Sequence, residues 1–158
     1  MLFALGILLL TGHPLRAQDA TASAVTLTGK IARPGPLTLD ALRKLPAQQV
    51  QVSFQSERGT TNAAFTGAPL WSVLQEAGGL TDTEKSGPLH HTLKVSGRDG
   101  YFVIFSTGEL APDFGGEQAI LAYQQNDQKL GGTGFRLVMP GDKLGGRNVR
   151  DVVAIDVE

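Results

Sequence analysis

The sequence predicts a mixed α+β domain built around a twisted, mostly antiparallel sheet or open barrel. Several short segments alternate apolar and polar residues, which is the pattern of half-buried strands. Turn-forming pairs such as Asp99-Gly100 and Asn126-Asp127 separate some of these segments. Helical patterns are short and occur singly between the strands. With roughly seven strands against two or three helices, a sheet is expected to form the frame of one domain.

The strand-like segments place their apolar side chains on one face. Val25 and Leu27 alternate with threonines in the first segment, and Val50, Val52 and Phe54 alternate with glutamines and serine in the second. Further strands are expected on either side of a turn at 98–100, at 118–123, at 136–139 and at 152–157, with irregular segments at 33–36 and 55–64.

The helices are predicted from their start and stop residues. Thr38 is a suitable N-cap for a helix that Pro46 ends, and Pro69 suits the first turn of a second helix that ends at Gly78. Ser106 and the glutamate three residues later have the spacing of a capping box. Leu70, Val73, Leu74 and Ala77 form the apolar stripe of the second helix.

Residues 1–17 resemble a secretory signal. An apolar run from Leu2 to Leu10 is followed by the helix breakers Gly12 and Pro14 and by the small Ala17. The run is too short for a stable transmembrane helix, so no membrane span is expected after the signal is removed. We expect cleavage after Ala17, with Ala20 as the alternative, which leaves one domain at 18–158 in the periplasm or secreted.

Charge and cysteine content exclude several classes of function. The chain has 14 basic and 15 acidic residues, and loss of Arg16 with the signal leaves 13 against 15, a net charge of −2. That balance gives no reason to expect a nucleic-acid partner. The chain has no cysteine, which excludes disulfides, thiolate catalysis and thiolate metal ligands.

The remaining candidates for chemistry are weak. His90 and His91 are expected near the start of a strand, where adjacent side chains point to opposite faces, so they are not expected to share a metal ion. Ser106 is better explained as a helix cap than as a nucleophile, because no nucleophile-elbow motif is present.

The C-terminal segment has the composition of an anion cradle. Arg136, Arg147 and Arg150 lie among glycines and short apolar runs, and Gly145-Gly146 brings the backbone round toward the last two arginines. A guanidinium offers a planar fork of donors that matches phosphate oxygens. The alternative is that these arginines are solvated or paired with surface carboxylates.

Taken in order, several segments resemble the molybdopterin-binding domain of sulfite-oxidase-type oxidoreductases. The resemblance covers residues 25–157 and rests on GKIARPGPLTLDALRKLP, FTGAPLWSVLQEAGG, VSGRDGYFVIFSTGEL, AILAY and GTGFRLVMPGDKLGGRNVRDVVAI. It implies a mixed α+β fold and a molybdenum cofactor held through its molybdopterin, at which oxygen atoms or electrons are transferred.

The resemblance also implies roles for particular residues. Gly145, Gly146, Arg147 and Arg150 match the family's glycine-plus-basic motif for the pterin and its phosphate, and Arg136 matches a position beside that pocket. The family's metal-ligating cysteine stands about a dozen residues before a glycine that here is Gly67, which places Gln55 near its position. A glutamine amide is a much poorer ligand for high-valent molybdenum than a thiolate.

Two functional hypotheses follow. The first is an exported domain that binds molybdopterin or another phosphate-bearing small molecule and belongs to the oxidoreductases, although the missing cysteine makes catalysis doubtful. The alternative is a cofactor-free, non-catalytic periplasmic module that binds a small anion or a protein partner.

Overall fold

A computed structural model of the chain describes residues 23–158, so the predicted signal at 1–17 lies outside the described residues. The described part folds into two open sheets and three short α-helices, which confirms the α+β prediction and shows open sheets rather than a closed barrel. The strands are β1 (Ala24–Gly29), β2 (Gly35–Thr38), β3 (Gln48–Ser56), β4 (Gly59–Pro69), β5 (Thr92–Gly97), β6 (Phe102–Ser106), β7 (Ile120–Gln125), β8 (Gln128–Lys129), β9 (Arg136–Val138) and β10 (Val152–Val157). The helices are α1 (Leu39–Lys44), α2 (Leu70–Glu76) and α3 (Thr107–Leu110), and 3-10 turns lie at Gly87–Leu89 and Gly145–Arg147.

The first sheet joins both ends of the described chain. Its strand order is β2-β1-β10-β5-β6, in which β1 and β10 run parallel and the other neighbours are antiparallel. Leu27 pairs with Ile155, and Ile155 pairs in turn with Val95. These three side chains are buried in the larger of two hydrophobic clusters.

The second sheet is antiparallel and follows the order β3-β4-β7-β8, with β9 also paired to β7. Val50, Val52 and Phe54 of β3 are buried as the alternation predicts, and they pack with Phe65 in the smaller cluster. A break in register between Thr66 and the next residue marks an irregularity in the pairing of β4 with β7.

Two segments that we predicted to be irregular are strands. Pro36 lies in β2, and proline is tolerated there because β2 is an edge strand and needs hydrogen-bonding partners on one side only. The polar segment 55–64 belongs to a long hairpin, in which Ser56 pairs with Gly59 across a turn at Glu57 and Arg58. Its polarity reflects exposure of the hairpin end rather than absence of strand structure.

The predicted N-caps Thr38 and Ser106 are confirmed, whereas Pro69 directly precedes α2 instead of lying in its first turn. The Thr38 hydroxyl accepts a hydrogen bond from the Ala41 N–H at 3.2 Å, and Ser106 forms a capping box with Glu109. Leu70, Val73 and Leu74 of α2 are fully buried in the larger cluster, as their spacing predicts.

A short strand, β9, connects the two sheets. On one side it pairs with β7 of the second sheet. On the other side the Leu137 N–H donates to the Val149 oxygen at 2.9 Å, and Arg136 forms an antiparallel bridge with Arg150, just before β10 of the first sheet begins. The segment that carries the predicted arginines is therefore the seam between the sheets.

Among residues 23–158, no helix has the length and apolar character needed to cross a membrane.

Candidate functional site

The seam between the sheets brings two of the three predicted arginines together. Arg136 is the first residue of β9, and Arg150 lies opposite it in an antiparallel bridge. The backbone on both sides of this bridge is hydrogen-bonded, with Val152 N–H donating to the Phe135 oxygen at 3.1 Å. Because both residues sit on paired backbone, the positions of their side chains are set by the sheets.

Arg136 is a cation in a largely apolar setting. Its guanidinium carbon lies 5.0 Å from the ring centroid of Phe65 and 5.9 Å from that of Phe54. Its Nε atom is buried and has no hydrogen-bond partner within the described residues. Burial first, and the neighbouring charge of Arg150 second, lower the pKa of Arg136 to about 10.

Neither arginine is neutralised by a carboxylate. Within residues 23–158 no ion pair involves Arg136 or Arg150. Asp151 is adjacent, but its carboxylate accepts a hydrogen bond from the Thr133 N–H at 2.9 Å. Two neighbouring cations that form no ion pair with a carboxylate favour an anion electrostatically, and the Asp151 carboxylate in the smaller groove reduces that preference.

Two grooves meet at Arg150. The smaller, of about 180 Å³, is lined by Arg136, Arg150, Asp151 and the glycine-rich stretch before Phe135. The larger, of about 370 Å³, lies between the tip of the β3–β4 hairpin and the 3-10 turn at Gly145–Arg147. It is lined by Gln55, Ser56, Glu57, Arg58, Tyr101, Leu144, Gly145, Gly146 and Arg150.

Backbone contacts hold the walls of the larger groove. The Gln55 N–H donates to the Lys143 oxygen at 2.9 Å, and Gln55 forms a parallel bridge with Leu144. The Tyr101 hydroxyl donates to the Gly146 oxygen at 2.8 Å from the opposite side. The hairpin tip and the glycine turn are thereby fixed relative to each other.

The two predicted glycines serve different purposes. A Cβ atom on Gly145 would lie 2.7 Å from the ring of Phe54, so this residue is small because the core packs against it. A Cβ atom on Gly146 would meet nothing closer than the Tyr101 hydroxyl at 4.0 Å. Of the two, Gly146 leaves open space at the groove.

The Arg147 side chain points to Asp142 and Glu109 and not into either groove. Its Nε and Nη2 atoms donate to the two carboxylate oxygens of Asp142 at 2.9 and 2.6 Å, and Nη1 donates to Glu109 at 3.4 Å. The hydrogen bond with Asp142 is the main cause of the raised pKa of Arg147. Its donors are thus used within the chain, and it does not line either groove.

Two groove residues were not anticipated from the sequence. Arg58 lies at the turn of the hairpin that we predicted to be irregular, and Tyr101 follows the Asp99-Gly100 turn. The position of Arg58 directly after the Gln55 region was a usable clue. Tyr101 had none, because its contact with Gly146 spans 45 residues.

The donors at the hairpin tip do not match the ligand set of a molybdenum site with a protein thiolate. The side chains there offer the amide of Gln55, the hydroxyl of Ser56 and the carboxylate of Glu57. The Ser56 hydroxyl is turned to the Gly59 oxygen at 3.1 Å. The anion side of the site therefore fits a cofactor phosphate, whereas the metal side lacks the soft ligand.

Comparison with known families gives the family of the chain. Residues 12–158 match the oxidoreductase molybdopterin binding domain, which is nearly the whole chain. The chain belongs to this family. The oxidoreductase molybdopterin binding domain family thus includes a chain that has no cysteine and whose Arg136 and Arg150 form no ion pair within residues 23–158.

The fold agrees with a solved structure. The crystal structure of the sulfane dehydrogenase SoxCD from Paracoccus pantotrophus superposes with a TM-score of 0.68 at 20% sequence identity, over 85% of this chain and 37% of that chain. This likeness establishes the sulfite-oxidase-like fold, and the chain spans about 37% of the length of that protein. A search of curated proteins found no significant match.

Proposed function

We propose that this oxidoreductase-type domain binds molybdopterin and that Arg136 and Arg150 hold its phosphate. The observation that carries the proposal is the buried, unpartnered Nε of Arg136 beside a second arginine that has no carboxylate partner in the described residues. A phosphate between them would accept the missing hydrogen bonds and relieve the repulsion between the two cations.

The other groove residues have simpler parts in this proposal. Gly146 leaves room for a planar ring system to approach the backbone, and the hydrogen bond from Tyr101 fixes that stretch of backbone. Arg58 adds a third positive charge at the rim of the larger groove. Arg150 lines both grooves, so it is placed to contact a ligand that extends from one to the other.

When bound, a molybdenum cofactor supplies oxygen-atom or electron transfer. The residues near Gln55 do not provide the thiolate that would hold the metal, so we derive no catalytic step from them. The proposal is accordingly a binding function within an oxidoreductase family.

The test is the pterin content of the protein purified from a host that makes the cofactor. We expect pterin fluorescence after denaturation of the wild type and its loss in the Arg136→Gln and Arg150→Gln variants. Arg43→Gln is the matched control, because Arg43 also stacks on an aromatic ring, 5.4 Å from the centroid of Tyr123, but lines neither groove. Folded wild-type protein that carries no pterin would overturn the proposal.

A cofactor-free module that binds a small anion or a protein partner is the second candidate. The absence of any cysteine favours it, since the usual metal anchor is gone. Under this function, inorganic pyrophosphate or another small anion would raise the melting temperature through Arg136 and Arg150, and molybdopterin would raise it no further.

We also propose export, on the strength of the signal-like residues 1–17. Fractionation of cells that express the full chain is expected to place a shortened protein outside the cytoplasm. A full-length protein that stays in the cytoplasm would contradict this.

A further inference from the structure

Two histidines that were expected to diverge converge on one carboxylate. His90 ends the 3-10 turn at Gly87–Leu89 and β5 begins only at Thr92, so neither histidine lies in a strand. The Nδ1 of His90 is 3.7 Å and the Nε2 of His91 is 3.8 Å from the same oxygen, Oδ2 of Asp82. The expectation of opposite faces was wrong because it assumed extended backbone.

Hydrogen bonding sets the tautomer of His91. Its Nδ1 lies 3.2 Å from the main-chain oxygen of Glu158, and a carbonyl oxygen only accepts, so Nδ1 carries the hydrogen. In the neutral ring, Nε2 then presents a lone pair. Nε2 is buried and has no hydrogen-bond partner within residues 23–158, and the side chain is only 13% exposed.

The carboxylate of Asp82 is oriented as well. Its Oδ1 accepts a hydrogen bond from the Glu84 N–H at 3.0 Å, which leaves Oδ2 to face the imidazoles. A lone pair on His91 and an anionic oxygen on Asp82 therefore face each other without a hydrogen between them. Such an arrangement is unfavourable unless a proton on Nε2, which makes an ion pair with Asp82, or a metal cation lies between the two atoms.

We propose that Asp82, His90 and His91 bind a divalent transition metal ion such as Zn²⁺. Imidazole nitrogen with carboxylate oxygen is a donor set for zinc rather than for magnesium or calcium. The hydrogen bond from His91 to a main-chain oxygen is the outer contact that zinc-ligating histidines commonly make.

The site closes only when the ion binds. Two ligands of a tetrahedral zinc ion lie roughly 3.4 Å apart, which is a few tenths of an ångström less than the two distances to Asp82. Within residues 23–158, no three His, Cys, Asp or Glu side chains are already grouped as a metal centre. The His90 side chain is 58% exposed and is free to turn toward the ion, while His91 is held by Glu158.

Binding would tie the segment before β5 to the end of β10. His91 contacts Glu158, and Thr92 exchanges two backbone hydrogen bonds with the same residue at 3.0 Å each. An ion that joins Asp82 to His91 links this end of the first sheet to the loop at 81–86. Because only the folded chain presents the three donors together, zinc is expected to raise the melting temperature.

The test is calorimetric titration of tag-free, chelator-treated protein with Zn²⁺. We expect one ion per chain and at least tenfold weaker binding in Asp82→Asn and His91→Gln. Asp82→Asn keeps an oxygen for the Glu84 N–H. Asp99→Asn is the matched control, because Asp99 accepts the Tyr101 N–H at 3.0 Å in the same way but forms no ion pair with a histidine within residues 23–158.

A second measurement separates loss of ligands from loss of folding. Co²⁺ bound by nitrogen and oxygen ligands gives visible absorption, which we expect in the wild type and in Asp99→Asn and not in Asp82→Asn. Equal Zn²⁺ affinity in wild type and Asp82→Asn, or no binding to the folded wild type, would overturn the proposal. Neither result bears on the pterin measurement, which depends on different residues.

Discussion

Arg136 and Arg150 face each other across a backbone bridge at the seam of the two sheets, and neither has a carboxylate partner among residues 23–158. Like charges at such a position reduce the stability of the ligand-free fold. The two arginines therefore favour a bound anion but lower the folding stability of the ligand-free protein. Functional sites commonly reduce stability in this way.

Replacement of Arg136 by methionine should stabilise the ligand-free protein while removing anion binding. Methionine keeps contact with Phe65 and removes a desolvated cation, so we expect the free energy of unfolding to rise by about 0.5–1 kcal/mol. The gain is small because part of the guanidinium reaches water. Thermal unfolding with and without pyrophosphate measures both effects. A lower melting temperature for the variant without ligand would show that the stacking contributes more than the charge costs.

Anion affinity should fall at high pH earlier than for an ordinary arginine site. Burial and Arg150 lower the pKa of Arg136 to about 10, so its charge is complete at neutral pH and is lost as the pH rises through that value. Titration with pyrophosphate between pH 8 and 11 should show constant affinity at first and then a decline. Constant affinity across this range would show that the charge of Arg136 does not contribute to anion binding.

Arg147 should matter for stability and not for anion binding. Arg147→Gln breaks the two hydrogen bonds to the Asp142 carboxylate at a partly exposed position. We expect the free energy of unfolding to fall by about 1 kcal/mol, and by less at high salt. Asp142→Asn should cost a similar amount, and the double variant less than the sum. Weaker pyrophosphate binding by a folded Arg147→Gln protein would instead place Arg147 in the site, as the sequence motif implied.

Gly132 should be intolerant of a side chain, unlike its neighbour. Gly132 has a φ of +62°, and a Cβ atom there would overlap the carboxylate of Asp151, next to Arg150. Gly132→Ala should therefore cost about 1–3 kcal/mol and weaken anion binding through Arg150. Gly131→Ala is the control, since a Cβ atom at Gly131 meets nothing within 4 Å. Chemical denaturation measures both, and equal stability of the two variants would contradict this reading.

Introduction of a thiolate should recover metal binding if the molybdopterin site is intact. Gln55 is exposed at the larger groove, and Gln55→Cys supplies the soft ligand that the chain lacks. We expect molybdenum in the variant purified from a cofactor-competent host, at a level above the wild type. Gln51→Cys places the same group on the same strand, away from the groove, and should gain none. A gain in neither variant would argue that the cradle no longer accepts the cofactor.

The strands could be predicted where apolar and polar side chains alternate. They could not be predicted where polar residues or prolines interrupt that alternation. Val50, Val52 and Phe54 identified β3, and the caps at Thr38 and Ser106 identified two helices. β2 was not predicted because it contains Pro36, and proline is tolerated only in a strand at the edge of a sheet. The sequence alone does not show which strand lies at an edge. The connection of the two sheets by β9 also depends on pairings between distant segments.

The sequence indicated only part of the candidate site, because Arg58 and Tyr101 of the larger groove were missed and Arg147 lines neither groove. Arg136 and Arg150 do come together, whereas Arg147 pairs mainly with Asp142, five positions earlier, and more weakly with Glu109. The pairing of Asp82 with two adjacent histidines was missed because it depends on a 3-10 turn just before β5.

The short strand β9 has a consequence for motion. It is hydrogen-bonded to β7 on one side and to the Val149 region on the other, so the two sheets cannot separate at β9 without breaking one of these sets of bonds. Arg136 is therefore held on paired strands rather than on a loop. An anion that reaches it finds donors already in position, and little conformational entropy is lost on capture.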